Sequence, residues 1–341
     1  MALSKKQIEQ IRDELDNCKR PLFFFHDDPD GLSSFLLLYR YIKEGHGLIV
    51  KTVPKIDSKF IHKAEEYSAD KVFILDIAMV EQEFIDGVNV PVIWIDHHAP
   101  LERDRVKYFN PRINDASDNT PVTRICYDVV SQDLWIAMCG CIGDWHIPDF
   151  SLEFNKKYPS LAANGKNAGE VYFSTELGKL VRIFSFILKG KTSDAMKCVK
   201  ILTRIKTPSE ILNKESPAGR FIYQKFEAIN KNYEVLLKSC LSESPKDNFL
   251  VFTYQDKMSF TGDLANEMVH LFPGKVIIIG RIKDEDIRMS IRASNVLLPP
   301  LIEKSLVGIE GYGGGHEYAC GANVKVADFS RFIENLKKNI G

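Results

Sequence analysis

Three short apolar runs near the start of the chain each end in acidic or imidazole side chains. The runs occupy 22–25, 72–75 and 92–95 and are rich in β-branched and aromatic residues. Such runs are typical of strands buried on both faces of a parallel sheet. Apolar residues at helical spacing lie between them, over 32–42 and 58–68. Alternating strands and helices of these lengths predict an α/β fold with a doubly wound parallel sheet.

The polar residues that follow the three runs are expected to form one site, because ligands of open parallel sheets bind beyond the carboxyl ends of the strands. They are His26, Asp28, Asp30, Asp76, Asp96, His97 and His98. Asp144 follows a further apolar run and is assigned to the same cluster, whereas His146 and Asp149 are more simply interpreted as loop residues. The alternative interpretation makes each aspartate the N-cap of a helix, but it leaves the two histidines after Asp96 unexplained.

Charge favours a metal centre over a set of helix caps. The four carboxylates that follow the first three runs repel one another when brought together, and without a cation some of them would have to take up protons. A divalent metal ion removes this conflict. A mixture of imidazole and carboxylate ligands suits manganese, iron or zinc, whereas magnesium prefers oxygen ligands alone.

Composition narrows the class of protein. A chain of 341 residues favours two domains. Its formal charge of −1 means that a nucleic-acid partner would be held by a local basic surface instead of an overall positive field. Seven scattered cysteines fit reduced thiols better than a disulfide framework. We find neither a signal peptide nor an apolar run of membrane-spanning length, so we expect a cytoplasmic protein with no membrane partner.

The rest of the chain predicts a helical linker and a smaller α/β domain. We expect the first domain to cover 1–190, the linker 191–245 and the second domain 246–341. Between 189 and 206, six basic residues stand against one acidic residue. This stretch is equally consistent with a stripe that follows a phosphate backbone and with a solvated helix face.

The second domain contains candidates for a phosphate-binding face. Two arginines alternate along a strand predicted at 287–292, so they share one side of it. A glycine-rich loop is predicted at 311–316, where successive glycines would let backbone N–H groups approach an anion and a following helix would add its dipole. The residues assigned to this face are Arg288, Arg292, Asn295, Gly313, Gly314, Gly315 and His316.

Five motifs, in this order, resemble those of the DHH phosphoesterase superfamily, specifically of members with a C-terminal DHHA1 domain. Residues 26–31 are similar to the first motif, HxDxDG, and Asp76 to the second. Residues 96–98 spell the defining DHH triplet, Asp144 matches the fourth motif, and 313–316 match the GGGH signature of DHHA1. The resemblance covers nearly the whole chain.

The resemblance implies a centre of two manganese ions, with magnesium or another divalent metal as the alternative. The implied ligands are His26, Asp28 and Asp76 for one ion, and Asp30, Asp76, His97 and Asp144 for the other. Asp76 would therefore bridge the two ions.

The remaining roles are also implied by the resemblance. Asp96 would orient His97, and His98 would face the substrate phosphate. Arg292 and His316 would hold phosphate from the DHHA1 domain. The reaction implied is hydrolysis of a phosphoester by a two-metal mechanism.

Substrate is less narrowly specified than family. The HxDxDG spacing is closer to RecJ-like nucleases, which favours an exonuclease acting on single-stranded DNA or RNA. The first alternative is a nanoRNase or pAp phosphatase acting on very short oligonucleotides or cyclic-dinucleotide products. The second is a catalytically inactive replication scaffold. A homodimer and a replication or repair partner are both left open.

Overall fold

A parallel sheet of five strands forms the centre of the first part of the chain, which confirms the predicted fold class. The computed structural model describes residues 3–51, 55–243 and 248–340. The chain divides into two compact units, Met1–Glu227 and Ala228–Gly341, each with its own five-stranded sheet. The domain boundaries expected at 190 and 245 stay predictions, and position 245 lies outside the described residues.

The strands of the first unit run in parallel. They are β1 (Pro21–His26), β2 (His46–Val50), β3 (Lys55–Ile56), β4 (Lys71–Leu75), β5 (Met79–Val80), β6 (Val92–Ile95) and β7 (Val106–Phe109). The main sheet has the order β2-β1-β4-β6-β7, and β3 pairs with β5 separately. The strand predicted over 48–53 ends at Val50, and its positions 52 and 53 lie outside the described residues. The sequence predicted turns, not a strand, where β7 lies. This edge strand is short, and the exposed Lys107 interrupts its apolar residues, so it has no continuous apolar run.

Helices cover both faces of this sheet, so it is doubly wound. The helices of this part of the chain are α1 (Lys5–Asp16), α2 (Pro29–Ile42), α3 (Ile61–Glu66), α4 (Gln82–Gly87), α5 (Val122–Val130), α6 (Leu134–Gly143), α7 (Ser151–Lys157), α8 (Ala168–Ser174), α9 (Glu176–Ile187), α10 (Thr192–Leu202), α11 (Pro208–Leu212) and α12 (Pro217–Ser242), which continues into the second unit. Phe23 and Phe25 of β1 pack on Phe35 of α2, whereas Phe24 points to the other face and packs on Phe84 of α4. Successive side chains of a strand alternate between faces, and here both faces are buried.

The second unit is a mixed sheet with helices. Its elements are β8 (Phe249–Tyr254), α13 (Thr261–Leu271), β9 (Val276–Lys283), β10 (Asp286–Arg292), α14 (Pro299–Ser305), β11 (Gly311–His316), β12 (Ala319–Lys325) and α15 (Phe329–Ile340). The order is β11-β12-β10-β9-β8, with β8 and β9 parallel and the other neighbours antiparallel.

The prediction of a glycine-rich loop at 311–316 is wrong, and so is the prediction of a helix after it. This segment is β11, an exposed edge strand, and the strand β12 follows it. The strand β11 could not be recognised from a pattern of polar and apolar side chains, because most of its residues are glycine. Gly313 shows why glycine is needed there. A Cβ atom there would lie 2.7 Å from the Ile302 side chain, so close packing against α14 requires a residue with no side chain.

Two further properties follow from the described residues. None of the helices within them is both long and apolar enough to cross a membrane. All seven cysteines lie in described positions, where they are buried and form no disulfide.

Candidate metal centre

Four neighbouring strands of the first sheet carry polar residues at their carboxyl ends. His26 ends β1, Asp76 follows β4, Asp96 follows β6 and Asn110 follows β7. Asp76 has a left-handed backbone, with φ +57°, which aspartate adopts more readily than most residues. Its backbone N–H donates to the carbonyl of Ile95 at 3.0 Å. Asp76 therefore turns away from β4 while staying fixed to the neighbouring strand.

The predicted metal ligands come together in three overlapping groups. In each group, potential ligand atoms lie within 4.8 Å of one another. The groups are His26, Asp28 and Asp76; Asp76, His97 and His98; and Asp30, His97 and Asp144. Asp76 belongs to the first two groups and His97 to the last two. The structure thus brings together seven residues from four separate parts of the sequence.

Asp28 caps a helix and also faces the cluster. Its Oδ1 atom accepts the backbone N–H of Gly31 at 2.9 Å, at the start of α2. Its Oδ2 atom lies 2.9 Å from Nδ1 of His26. A Cβ atom at Gly31 would come within 2.5 Å of the carbonyl oxygen of His26, so the tight turn requires glycine. The N-cap interpretation is therefore right for Asp28 and is compatible with metal binding.

Asp30 is buried and is held by a helix that the sequence did not connect to it. Its two carboxylate oxygens accept the backbone N–H groups of Val122 at 2.9 Å and Thr123 at 2.7 Å, at the start of α5. The positive end of that helix dipole favours a carboxylate. Burial, and then the charge of Asp76, raises the pKa of Asp30 to about 7.

His97 connects the two outer groups. Its Nε2 atom lies 3.4 Å from Asp76, and its Nδ1 atom lies 3.6 Å from the carboxylate of Asp144, which follows α6. Among the described residues, the buried Nδ1 atom has no hydrogen-bond partner. Buried polar atoms are rarely left unpaired, so this nitrogen fits a ligand of a metal ion.

The protonation of the cluster also suits a cation. Burial raises the pKa of Asp144 well above its usual range. Burial would also raise the pKa of Asp76, but hydrogen bonds from His26 and His97 outweigh it and lower that pKa well below its usual range. Burial opposes the protonated imidazoles, yet neighbouring carboxylates raise the pKa of both His26 and His97. Protons thus balance the carboxylates, and a divalent cation could take their place.

The resemblance implied that Asp96 orients His97, but among the described residues Asp96 is hydrogen-bonded to His98 and not to His97. The Nδ1 atom of His98 lies 2.8 Å from Oδ1 of Asp96, and the backbone N–H of His98 donates to Oδ2 at 3.0 Å. Residues two apart in extended chain point to the same side, which brings His98 back to Asp96. Asp96 therefore fixes the orientation of His98.

Sequence reasoning missed Asn110, although it obeys the same rule of a polar residue after a strand. Asn110 is buried, and its amide donates to Oδ2 of Asp96 at 3.3 Å, to the carbonyl of His98 at 3.0 Å and to the hydroxyl of Tyr108 at 2.8 Å. Its oxygen accepts the backbone N–H of Arg112 at 2.9 Å. The signal was hidden because β7 itself was not predicted.

Replacing Asn110 with Ala is expected to lower the free energy of unfolding by about 1–3 kcal/mol, because buried acceptors lose their donor. Urea unfolding followed by circular dichroism, with EDTA present, measures the change. Asn114→Ala is the matched control, since Asn114 is exposed nearby and should change stability by less than about 0.5 kcal/mol. Equal stability of the two variants would contradict the role given to Asn110.

Asp27 and Lys51 were also missed, and both adjoin the cluster. Oδ1 of Asp27 lies 3.7 Å from Nε2 of His26. Burial raises the pKa of Asp27, whereas the charges of His26, Lys51 and Lys189 act to lower it. Lys51 follows β2, so it also stands at the end of a parallel strand. Positive charge therefore lies beside the acidic centre.

The second unit carries the predicted phosphate-binding residues. Arg292 of β10 and His316 of β11 both pair with Ala319 of β12, so they lie in register on the same face, two strands apart. Gly314 and Gly321 pair beside them, and a Cβ atom added to Gly314 would meet nothing within 4 Å. The backbone at Gly314, beside His316, is therefore open.

The guanidinium of Arg292 is held in place. It donates from Nε to Asn266 at 2.6 Å and from Nη1 to the carbonyls of Ile291 at 3.0 Å and Cys320 at 3.2 Å. Burial lowers its pKa to about 10, so it stays charged at neutral pH.

The other residues assigned to this face are distributed differently. Arg288 shares the face of Arg292 and is exposed, as the alternation predicted. Asn295 is exposed in the segment after β10. Gly313 and Gly315 pair with Ala322 and Cys320, whose side chains are buried in the core, so these two glycines belong to the opposite face from Gly314.

The fold and the site together define a two-unit α/β protein with a carboxylate and imidazole centre at the ends of parallel strands. The family model described as the DHH family, N-terminal domain, matches residues 22–157, and the model of the DHHA1 domain matches residues 247–341. The chain therefore belongs to the DHH phosphoesterase superfamily and carries a DHHA1 domain, as its motifs predicted. No match was found among curated proteins.

Solved structures share this fold at low sequence identity. RecJ from Thermus thermophilus in complex with Mn²⁺ is 15% identical with a TM-score of 0.68, and the alignment covers 99% of this chain and 55% of that one. An exonuclease RecJ bound to manganese is 15% identical with a TM-score of 0.63, covering 99% and 95%. The pGpG-specific phosphodiesterase PggH from Vibrio cholerae is 13% identical with a TM-score of 0.50, covering 94% and 99%. The chain thus spans about half the length of the Thermus protein.

Proposed function

We propose that the protein is a manganese-dependent phosphodiesterase that removes nucleotides from single-stranded DNA or RNA. One observation carries the proposal. The group of His26, Asp28 and Asp76 adjoins the group of Asp30, His97 and Asp144, and the contact between Asp76 and His97 joins them. Two adjacent groups of mixed carboxylate and imidazole ligands are the arrangement that a pair of divalent ions needs.

The residues themselves fit such ions. Four carboxylates, and a buried His97 nitrogen that has no hydrogen-bond partner among the described residues, supply the donor set. Asp76, which belongs to two of the three groups, would help to hold the ions. When bound, the pair would lower the pKa of a water molecule and offset the charge that develops on the phosphoryl oxygens. Similar RecJ structures contain manganese, which supports the choice of metal.

The other side chains have positioning and binding roles in the proposal. His98, held by Asp96 through both its ring and its backbone N–H, would donate to the phosphate. In the second unit, Arg292 and His316 would bind a phosphate on the face of the sheet that they share, aided by the fixed guanidinium. Each of these contacts supplies a charge or donor directed at an anion.

Basic charge supports a polymeric substrate over a small phosphoester. Lys51 and Lys189 act on Asp27 beside the centre. Further exposed basic residues follow along the chain at Lys191, Lys197, Lys200, Arg204 and Lys206. A series of basic residues that starts at the metal cluster can follow a phosphate backbone, with binding that weakens as salt rises.

An end-labelled 20-mer should be shortened in the presence of Mn²⁺, with a higher kcat/KM than an end-labelled 2-mer, and EDTA should stop the reaction. Denaturing gels of the products measure this. Preference for the 2-mer would replace the proposed activity with that of an oligonucleotidase that finishes short fragments. A purified protein that binds no metal and hydrolyses neither substrate would refute an enzymatic role and favour the scaffold.

A further inference from the structure

Trp145 is an exposed aromatic residue directly after the candidate ligand Asp144. The chain has three tryptophans. Trp94 and Trp135 are buried in the core, whereas 44% of Trp145 is exposed. Large aromatic side chains are usually buried, so an exposed indole next in sequence to a candidate metal ligand requires an explanation.

The backbone of Trp145 has an unusual conformation for a residue with a large side chain. The N–H of His146 donates to the carbonyl of Cys141 at 2.9 Å, and that of Trp145 donates to Ile142 at 3.1 Å. This pair of hydrogen bonds is the Schellman motif that ends many helices, and the residue at the position of Trp145 is normally glycine. Trp145 instead adopts φ +59°, which bulky side chains rarely do. A strained residue of this kind points to a use for its side chain.

Two aromatic side chains of α8 hold the indole in place. Trp145 stacks on Tyr172, with ring centroids 5.6 Å apart and planes at 25°, and its centroid lies 6.0 Å from that of Phe173. The guanidinium of Arg182, on α9, lies 6.0 Å from the Phe173 ring. Because much of Trp145 stays exposed, this packing fixes the ring without covering it. The result is a rigid aromatic surface with a positive charge nearby.

We propose that Trp145, supported by Tyr172 and Phe173, is the platform on which a nucleobase stacks when the phosphate of its nucleotide lies at the metal centre. The inference rests on the proposed function and narrows its substrate class to molecules that carry a base, which excludes pyrophosphate and polyphosphate. Trp145 follows Asp144 directly, and consecutive Cα atoms are about 3.8 Å apart, so the backbone that carries the platform adjoins the backbone of a candidate metal ligand. Stacking accepts every base, because each has a π-face, and so suits an enzyme that digests any sequence.

The first test compares substrates with and without a base. Two single-stranded 20-mers are used, one normal and one with abasic tetrahydrofuran units at both terminal positions of each end, so that the phosphates are the same. Trp145→Gly should raise KM for the normal strand by about 5- to 150-fold, the range that one lost base stack gives. It should change KM for the abasic strand less than about twofold. Glycine suits the left-handed backbone, and Trp145→Phe, which keeps an aromatic ring, should retain most of the affinity.

A second measurement separates failure of the platform from failure of the proposed function. The normal 20-mer is titrated in Ca²⁺ into wild type and into Trp145→Phe while tryptophan fluorescence is recorded. Quenching that occurs in wild type but not in Trp145→Phe, and that is weaker with the abasic strand, supports the platform. If neither strand is hydrolysed at the same time, only the exonuclease is refuted. If the strands are hydrolysed and Trp145→Gly raises KM equally for both, or for neither, the platform is refuted and the exonuclease is not. Absence of quenching, together with absence of hydrolysis, overturns both.

Discussion

Asp76→Asn is expected to lower Mn²⁺-dependent hydrolysis of a single-stranded 20-mer by at least about a hundredfold. Loss of a group that only supports a metal ligand costs about 10- to 100-fold in affinity or activity, and Asp76 is the carboxylate shared by two of the three ligand groups. Its oxygens lie 3.3 Å from His26 and 3.4 Å from His97. An amide in its place can hold neither the charge of a cation nor that of the protonated imidazoles.

Asparagine is the replacement that isolates this effect. Asn fits the volume of Asp76 and, like aspartate, tolerates its left-handed backbone, whereas alanine would add backbone strain of about 1–2 kcal/mol. Asp86→Asn is the matched control, because Asp86 is an exposed carboxylate on α4. Kinetics are measured across a range of Mn²⁺ concentrations, and isothermal titration gives the affinity for the metal. If Asp76→Asn binds Mn²⁺ and cleaves the 20-mer as the control does, Asp76 is not a ligand.

The strand ends could be predicted from the sequence because the relevant signals are local. Phe24, Ile74 and Trp94 belong to apolar runs that suit strands buried on both faces, and each run stops at a charged residue. Parallel topology then puts all those ends at one edge. One local rule and one rule of sheet topology were therefore enough to predict that His26, Asp76 and His97 lie close together.

The supports of the site could not be predicted, because they depend on contacts between distant segments. The carboxylate of Asp30 is fixed by backbone N–H groups of Val122 and Thr123, and no side-chain pattern reveals which helix start will lie there. Asn110 followed the strand-end rule, but β7 is a short edge strand whose apolar residues are interrupted by the exposed Lys107, so it was not recognised. β11 was not predicted because it consists largely of glycine, which shows no alternation of polar and apolar side chains.

Two helices deliver three of the candidate carboxylates, and they are joined at their far ends. α2 begins with Asp28 and Asp30, and α6 ends next to Asp144. Arg40, in the last turn of α2, pairs with Asp133, which immediately precedes α6. Both nitrogen–oxygen distances are 2.8 Å. The ion pair therefore ties the helix ends opposite to those that meet the cluster.

Arg40 also contacts a third helix. Its Nη1 atom donates to the carbonyls of Leu202 at 3.3 Å, Thr203 at 3.2 Å and Ile205 at 2.6 Å, at the end of α10. Leu202 ends the helix, where its carbonyl also accepts the backbone N–H of Ile205 at 3.2 Å, and Thr203 and Ile205 lie just beyond it. A cation is favoured at this negative end of the helix dipole. One guanidinium thus satisfies acceptors from two segments at once.

Arg40→Ala is expected to lower the free energy of unfolding by about 3 kcal/mol, the lower end of the cost of breaking a buried ion pair. The side chains of Arg40 and Asp133 are only 13% and 16% exposed, so water replaces the lost contacts poorly. Urea unfolding measures the change. Arg105→Ala is the matched control, because Arg105 pairs with Asp86 at 3.4 Å with side chains 63% and 50% exposed, and an exposed pair contributes less than about 1 kcal/mol. A loss no greater than that of Arg105→Ala would mean that packing alone, without Arg40, holds α2 against α6 and keeps the carboxylates together.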